Sequence, residues 1–488
     1  MDAGHQPRWN VQGGRGPAGA VRPGRRPQGS RDHRLLPDRC ARRPLVVRAE
    51  VPAGLPAGTQ LRRELGGVGE PARPPGAEVR PVAGPGPGRA NLPRLLTLGA
   101  AALVLAAALA RLTSRADPRA GLFWLFGLGF GFVLQRSRFC FASAFRDLFL
   151  FGHARVMRGI LGGLTVATAG FAVLMARMVP DPGLGAVAPE AHVIPLGIHM
   201  IVGGLLFGIG MVLAGGCVSG SMYRIGEGYV ASAVALVGIM AGLGLGAHSW
   251  NFWWQASIGR SPLVWLPRFG GYGVAVGVTL ALLAAAYLLV TWWETRQGYV
   301  LPAPVPPPVG ESFRERVEAT LHTVMVRGWS PVVGGVALGT LNVFLYTAHM
   351  PWGVTGEISR WAIGLLNAAG WGPGPLKGTE ELAACALTAG NGPWLTHTLT
   401  LNVGMVAGSF AAALLAGEFR LRRPKERRRF LQAIAGGVLM GYGATLAMGC
   451  TLGAFFSAIP SLALNGWVFG LALAAGAWVG VQVIRRIP

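Results

Sequence analysis

Ten apolar segments, each long enough at about 20 residues to cross a lipid bilayer, follow one another from residue 95 onward. Inside a membrane no water satisfies backbone N–H and C=O groups, so a spanning segment must be an α-helix or part of a closed β-barrel. Barrel strands need only about 10 residues, so segments of this length favour helices. The sequence predicts an all-α integral membrane protein with about 9–10 transmembrane helices, placed near 95–112, 121–135, 156–178, 196–216, 229–249, 271–293, 332–348, 397–417, 431–450 and 463–484.

Composition and charge exclude other classes of protein. Charged residues make up 13% of the chain, compared with about 25% in a soluble domain. The net charge of +23 comes from arginines that are concentrated in the first 94 residues and in a few loops. Basic residues that flank apolar spans orient a membrane protein. They do not form a nucleic-acid-binding face, and no nucleic-acid partner is predicted.

Composition also divides the chain into four parts. Residues 1–94 are rich in Arg, Pro and Gly and show no apolar period, so they bury too little surface to offset the entropy of ordering. They are predicted to be a disordered basic tail. Residues 95–300 form the first membrane half and residues 331–488 the second. The connection 301–330 contains the proline-rich run LPAPVPPPV, followed by a predicted interfacial helix.

An internal repeat relates the two membrane halves. The sequences GGLLFGIGMVLAGGCVSG at 203–220 and GGVLMGYGATLAMGCTLG at 436–453 are separated by 233 positions and are identical at 10 of 18. A weaker match aligns the starts of the halves and places Ala348-His349-Met350 opposite Phe139-Cys140-Phe141. Internal repeats in transporters build two similar halves with the substrate site between them.

The loops that precede the two motifs differ in charge. Residues 418–429 contain seven Lys and Arg residues, whereas the equivalent residues 185–196 contain none. Short basic loops remain in the cytoplasm, so the second motif helix should enter from the cytoplasm and the first from outside. The sequence therefore predicts two inverted-topology repeats.

Each repeated motif ends in Gly-Cys-x-x-Gly, which predicts a broken helix followed by a short re-entrant half-helix. A lone buried cysteine is usually a small apolar packing residue. A cysteine that recurs at the same place in both copies favours a functional role, because broken helices at the midplane present N–H groups to anions. The candidate pathway residues are Gly216, Cys217 and Gly220 in the first copy and Gly449, Cys450 and Gly453 in the second.

A third cysteine, Cys140, lies close to Arg136 and Arg138 in the run RSRFCF. A cation inside a membrane is costly and is by default a functional hypothesis. The alternative is that both arginines extend to the membrane surface. All three residues are candidates for the pathway, whereas Cys40 and Cys385 have no counterpart in the repeat and are predicted to be incidental.

The sequence predicts neither a metal nor a cofactor. The five cysteines are widely spaced and form no CxxC pair, which argues against a disulfide framework and a zinc site. A P-loop and an HExxH motif are also missing from the sequence. Several other polar residues could line a path, although a structural role is expected for each of them: Tyr223, Arg224, Glu227, Asn342, Tyr346, His349, Glu357 and His397.

The segments QRSRFCFASAFRDLF, LAGGCVSG, GEFRLRRP and LMGYGATLAMGCTLGAFFSAI resemble the YeeE/YedE family of sulfur transport membrane proteins, over roughly residues 121–487. The resemblance implies an hourglass-shaped inverted-repeat fold in the bacterial inner (plasma) membrane and uptake of thiosulfate. It also implies that Cys140, Cys217 and Cys450 bind the anion transiently at a constriction through S–H···S hydrogen bonds. A cytoplasmic sulfur-carrier protein is an implied partner.

Other functions stay open beside a transporter for thiosulfate or a similar small sulfur anion, which would not be an enzyme. A membrane thiol enzyme, either a sulfurtransferase or a thiol-exchange protein, would use the same cysteines, although the missing CxxC pair argues against it. A transporter for a selenium compound is another alternative. In a transporter for a different small anion, the cysteines would serve packing alone.

Overall fold

The computed structural model describes residues 111, 118–297, 324–326, 328–379 and 396–486. The whole basic tail, most of the linker, nearly all of the first predicted span, Cys40 and Cys385 lie outside the described residues. The described helices are α1 Pro118–Ser137, α2 Phe141–Phe151, α3 Arg155–Met178, α4 Ile198–Ala214, α5 Val218–Gly226, α6 Val230–Ala256, α7 Pro267–Arg296, α8 Pro331–Ala348, α9 Thr355–Ala368, α10 His397–Leu415, α11 Arg427–Leu446 and α12 Leu464–Arg486.

The prediction of an all-α membrane protein is confirmed. In the described part of the chain, seven helices are long and apolar enough to cross a membrane. An eighth span is formed if α11 and the helical turn Thr451–Ser457, which are bent by 49° relative to each other, are counted together. No β-strand forms among these residues, apart from isolated bridges between loops. Helix α7 is largely exposed along its apolar length, as expected where lipid is the solvent.

Glycines allow helices from different halves to approach closely. Helix α1 runs parallel to α10, with Gly127 against Gly404 and Gly131 against Ser409. In each case a Cβ at the α1 glycine would collide with the backbone of α10. Small residues at such contacts bring two backbones together, which is how membrane helices gain packing energy without a hydrophobic driving force.

Helix α8 of the second half packs against α3 of the first half in the same way. Helix α8, the first of the second half, runs parallel to α3, with Gly335 against Gly159 and Gly339 against Gly163. Among the described helices, α1 is the first of the first half and α8 the first of the second, and each packs against a helix of the other half. The pairs α1–α10 and α8–α3 thus join the two halves through similar glycine contacts.

The helices that carry the repeated motif cross at the centre of the bundle. Gly203 of α4 lies against Gly443 of α11, and Gly210 lies against Gly436. The residue numbers run in opposite senses, so α4 and α11 are antiparallel. Helix α12 packs against the other side of α4, and α6 against the other side of α11. Most of the motif glycines therefore serve helix packing, and they place the breaks after α4 and α11 in the core.

Candidate substrate site

Three helix breaks share one local conformation, and each presents a cysteine. In each break a helix ends, one residue adopts a left-handed backbone, a second residue follows, and the cysteine then caps the next helical element. Cys140, Cys217 and Cys450 are at most 1% exposed. The left-handed residues are Arg138 (φ 49°), Gly215 (φ 75°) and Met448 (φ 49°).

The structure brings two of the three predicted cysteines together. The thiols of Cys140 and Cys217 lie on the same side of Gly220, close to each other. Gly220 leaves space for this pair, because a Cβ there would lie 2.8 Å from Sγ of Cys140 and 3.2 Å from Sγ of Cys217. The N–H of Gly220 also donates to Sγ of Cys217 at 3.3 Å. The thiols, whose residues are 77 positions apart in the sequence, form a compact sulfur site at the start of α2 and α5.

The third cysteine, Cys450, precedes the π-helical turn Thr451–Ser457. Phe141, the residue after Cys140, contacts the ring of Phe456 with centroids 5.5 Å apart and that of Phe455 at 6.5 Å. Aromatic contacts therefore connect the segment after Cys140 to the turn after Cys450. Gly449 and Gly453, the candidate glycines on either side of Cys450, are both buried here.

The two arginines near Cys140 bind a carboxylate from a distant loop. Arg136 forms an ion pair with Oε2 of Glu418 at 2.9 Å, and Arg138 forms one with Oε1 at 2.8 Å. Burial alone would raise the pKa of the Glu418 carboxyl, but Arg138 and Arg136 outweigh it and hold this pKa below its usual range. The guanidinium groups thus connect the end of α1 to the loop between α10 and α11.

A different cation faces the sulfur site. Arg224 of α5 donates to the carbonyl oxygen of Gly215, which lies in the break before Cys217. Its guanidinium also lies beside Gly216, the residue before Cys217, where a Cβ would be 3.6 Å from Nη1. The sequence gave no reason to prefer Arg224 over Arg136 and Arg138, because the position of Arg224 depends on how the break before α5 folds.

A fourth helix break, between α8 and α9, carries no cysteine. Val354 caps α9, but its backbone (φ −122°, ψ −18°) is less extended than that of Cys140, which caps α2, and the alignment of Cys140 with His349 stays a prediction. This connection is longer, and His349 lies at the end of α8. Several buried polar atoms at this break have no hydrogen-bond partner among the described residues: Nε1 of Trp352, Oγ1 of Thr355, Oγ of Ser359 and Oδ1 of Asn402.

Several of the other polar candidates have structural partners. Asn342 accepts from the backbone N–H of Trp352 at 2.7 Å and donates to the hydroxyl of Ser457 at 3.3 Å. Tyr346 donates to the carbonyl oxygen of Pro189 at 2.9 Å. These contacts confirm the structural role expected of Asn342 and Tyr346. Glu357 likewise forms an ion pair with Arg360 one turn later in α9.

No group of three or more His, Cys, Asp or Glu residues that could hold a metal ion occurs in the described ranges. The buried cysteines and their aromatic neighbours instead form a site that is apolar, rich in sulfur and bordered by one cation. Such a site suits a small, soft, anionic ligand held without covalent bonds.

Comparison with known proteins agrees with this chemistry. The family model described as "Sulphur transport" matches residues 136–479. The chain is 32% identical over 368 residues to the thiosulfate transporter TsuA of Spirochaeta thermophila, covering 74% of this chain and 98% of the relative. It is 27% identical over 372 residues to the thiosulfate transporter TsuA of Escherichia coli, covering 73% and 92%. A probable transporter of E. coli, YedE, is 38% identical over 173 residues, covering 34% and 42%. The chain therefore belongs to the sulphur transport family.

Proposed function

We propose that this protein carries thiosulfate, or a similar small sulfur anion, across the bacterial inner membrane through a cysteine-lined constriction. The observation that carries the proposal is the contact between the Cys140 and Cys217 thiols, buried where two short helices begin. Two relatives that the chain covers almost completely are named as thiosulfate transporters. Both lines of support point to a ligand with exposed sulfur.

The chemistry of thiosulfate matches such a site. The anion has a sulfonate end with hard oxygen acceptors and a terminal sulfur that is soft and weakly basic. Thiols can donate to that sulfur without binding it too tightly for release, and Arg224 supplies positive charge near Cys140. Conduction requires sites that attract the ion yet release it, arranged in series. Cys140 and Cys217 would form one such site and Cys450 the next.

We infer further that the halves form inverted-topology repeats with the sulfur site between them. The antiparallel crossing of α4 and α11 and the exchanged pairs α1–α10 and α3–α8 support this arrangement. The basic loop before α11 would then lie in the cytoplasm and the loop before α4 outside. Leu184→Cys and Lys425→Cys, both at exposed positions, should be labelled by an impermeant thiol reagent from outside and from inside, respectively. Labelling of Lys425→Cys in intact cells would contradict the inferred orientation.

The transport proposal is tested by growth. A bacterial host that lacks its own sulfate and thiosulfate uptake systems should grow with thiosulfate as its sole sulfur source when it expresses this chain. The same host with an empty vector is the control, and growth on cysteine shows that the cells are viable. Failure to grow on thiosulfate, with the protein present in the membrane, would refute the proposal. A cytoplasmic sulfur-carrier protein is the proposed recipient of the imported sulfur.

A membrane thiol-exchange enzyme is the second candidate, because the contact between Cys140 and Cys217 is also what a reactive dithiol needs. Both cysteines are buried, however, whereas reactive cysteines are at least partly accessible. Purified protein that reduces a soluble disulfide with turnover, yet moves no thiosulfate, would favour the enzyme. Uptake without such turnover would favour the transporter.

A further inference from the structure

His192 presents an unused ring nitrogen inside the protein. Its side chain is 5% exposed, and Nε2 has no hydrogen-bond partner in the described part of the chain. The backbone of His192 is held firmly, since its N–H donates to the Ser461 hydroxyl at 3.2 Å and its carbonyl oxygen accepts from Asn465 at 3.4 Å. The ring is thus positioned by the start of α12 and the residues before it, while its Nε2 remains available.

The free nitrogen of His192 lies next to Gly449, the residue before Cys450. A Cβ at Gly449 would be only 3.2 Å from Nε2, so the glycine lets the ring approach the backbone just before the cysteine. Directly after the cysteine, Thr451 is fully buried, and its hydroxyl has no partner among the described residues. Two polar atoms that can each donate one hydrogen bond therefore belong to, or lie against, the residues on either side of Cys450.

Such atoms are seldom left unpaired. A buried polar group without a hydrogen bond is costly, and most native proteins contain few of them. His199 shows the usual arrangement, because both of its ring nitrogens lie within hydrogen-bond distance of a partner, the Ser257 hydroxyl at 2.9 Å and the Pro195 carbonyl oxygen at 3.2 Å. Among the described residues, His192 and Thr451 therefore lack the partners that His199 has.

We propose that His192 and Thr451 form an oxyanion subsite beside Cys450, in which Nε2–H and Oγ1–H donate to oxygens of the substrate anion while the thiol meets its terminal sulfur. This inference rests on the proposed function and specifies the substrate class, which is small anions that carry both oxyanion oxygens and a terminal sulfur. The subsite recognises the oxygen end of the substrate anion. The paired thiols of Cys140 and Cys217 would not recognise that end.

The test compares variants that remove one donor each. Uptake of labelled thiosulfate is measured at matched expression for His192→Leu, Thr451→Val and Thr451→Ser, and binding of thiosulfate to the purified proteins is measured by calorimetry. Loss of one hydrogen bond to a charged group should raise KM and the dissociation constant about tenfold in the first two variants. Thr451→Ser keeps the hydroxyl and should stay close to wild type.

Thr168→Val is the matched control, because Thr168 is fully buried in a spanning helix but its hydroxyl already donates to the carbonyl oxygen of Leu164 at 2.7 Å. Its KM should equal that of the wild type. Wild-type KM and dissociation constants in both His192→Leu and Thr451→Val, as for a pocket that holds only water, would overturn the subsite and leave the proposed function intact. A wild type that transports no thiosulfate would refute the proposed function. In that case calorimetry tests the subsite. It would be overturned if the wild type did not bind thiosulfate, or if His192→Leu and Thr451→Val bound it as tightly as the wild type.

Discussion

Replacing Glu418 with Gln should destabilise the protein near the end of α1, because it removes the only carboxylate that the structure places on Arg136 and Arg138 within the described residues. The Arg136 side chain is 1% exposed, that of Arg138 is 46% exposed and that of Glu418 is 30% exposed. Breaking a fully buried pair costs about 3–5 kcal/mol, whereas an exposed pair contributes at most about 1 kcal/mol. The half-buried Glu418 lies between these cases, so we expect a loss of about 2 kcal/mol.

The effect should depend on pH in one direction. The pKa of Glu418 is depressed in the folded protein, since its two arginines outweigh the effect of burial. A depressed carboxyl pKa contributes stability above the unfolded pKa, which is about 4.3 for Glu. That contribution is lost as the pH falls through the folded pKa. The difference between wild type and Glu418→Gln should therefore be constant from neutral pH down to about pH 5 and vanish in stronger acid.

The assay is thermal unfolding of the purified protein in detergent at a series of pH values. Glu426→Gln is the control, because Glu426 is an exposed glutamate from the same basic region and makes no side-chain capping bond to α11. Its Tm should follow that of the wild type throughout. An unchanged Tm for Glu418→Gln at pH 7, or a deficit that persists in strong acid, would refute the assignment of Glu418 as the counterion.

Three further predictions concern transport and folding. Cys217→Ala and Cys450→Ala should each lose about 1 kcal/mol of stability from one missing buried atom. Both variants should nevertheless lose most uptake of labelled thiosulfate. Wild-type uptake rates in both variants would show that these thiols are not part of the pathway. Glu294→Gln leaves the charge of Arg158 buried at 9% exposure without its carboxylate and should cost about 3 kcal/mol, read as a lower Tm and a smaller yield of monodisperse protein. Deleting residues 2–90 should leave uptake near wild type, and a truncated chain that inserts but does not transport would contradict the prediction of a dispensable tail.

The sequence predicts much of the helical framework, because membrane burial makes the signal strong and local. Apolar length locates the spans, and the repeat locates the two Gly-Cys breaks after α4 and α11. The contact between Cys140 and Cys217 is less predictable. It depends on two breaks in different parts of the chain folding toward one point, and no local pattern encodes that approach.

Charged partners were the least predictable feature. Arg136 lies four positions from Cys140 and looks like its neighbour in the sequence, but its partner Glu418 is 282 positions away. The fourth break is harder to align with the first. Its connection is longer than the one before Cys140 and no cysteine marks the site, so the alignment of Cys140 with His349 stays a prediction. Unpaired atoms such as Nε2 of His192 leave no trace in a sequence at all.

The proposed path of thiosulfate along the buried cysteines can be measured with purified protein in sealed liposomes, by following uptake of thiosulfate labelled at its terminal sulfur. Wild-type protein should accumulate label in a saturable manner that excess unlabelled thiosulfate suppresses, and a variant with Cys140, Cys217 and Cys450 all changed to Ala should be no faster than empty liposomes. Full uptake by that variant, or none by the wild type, would contradict the account.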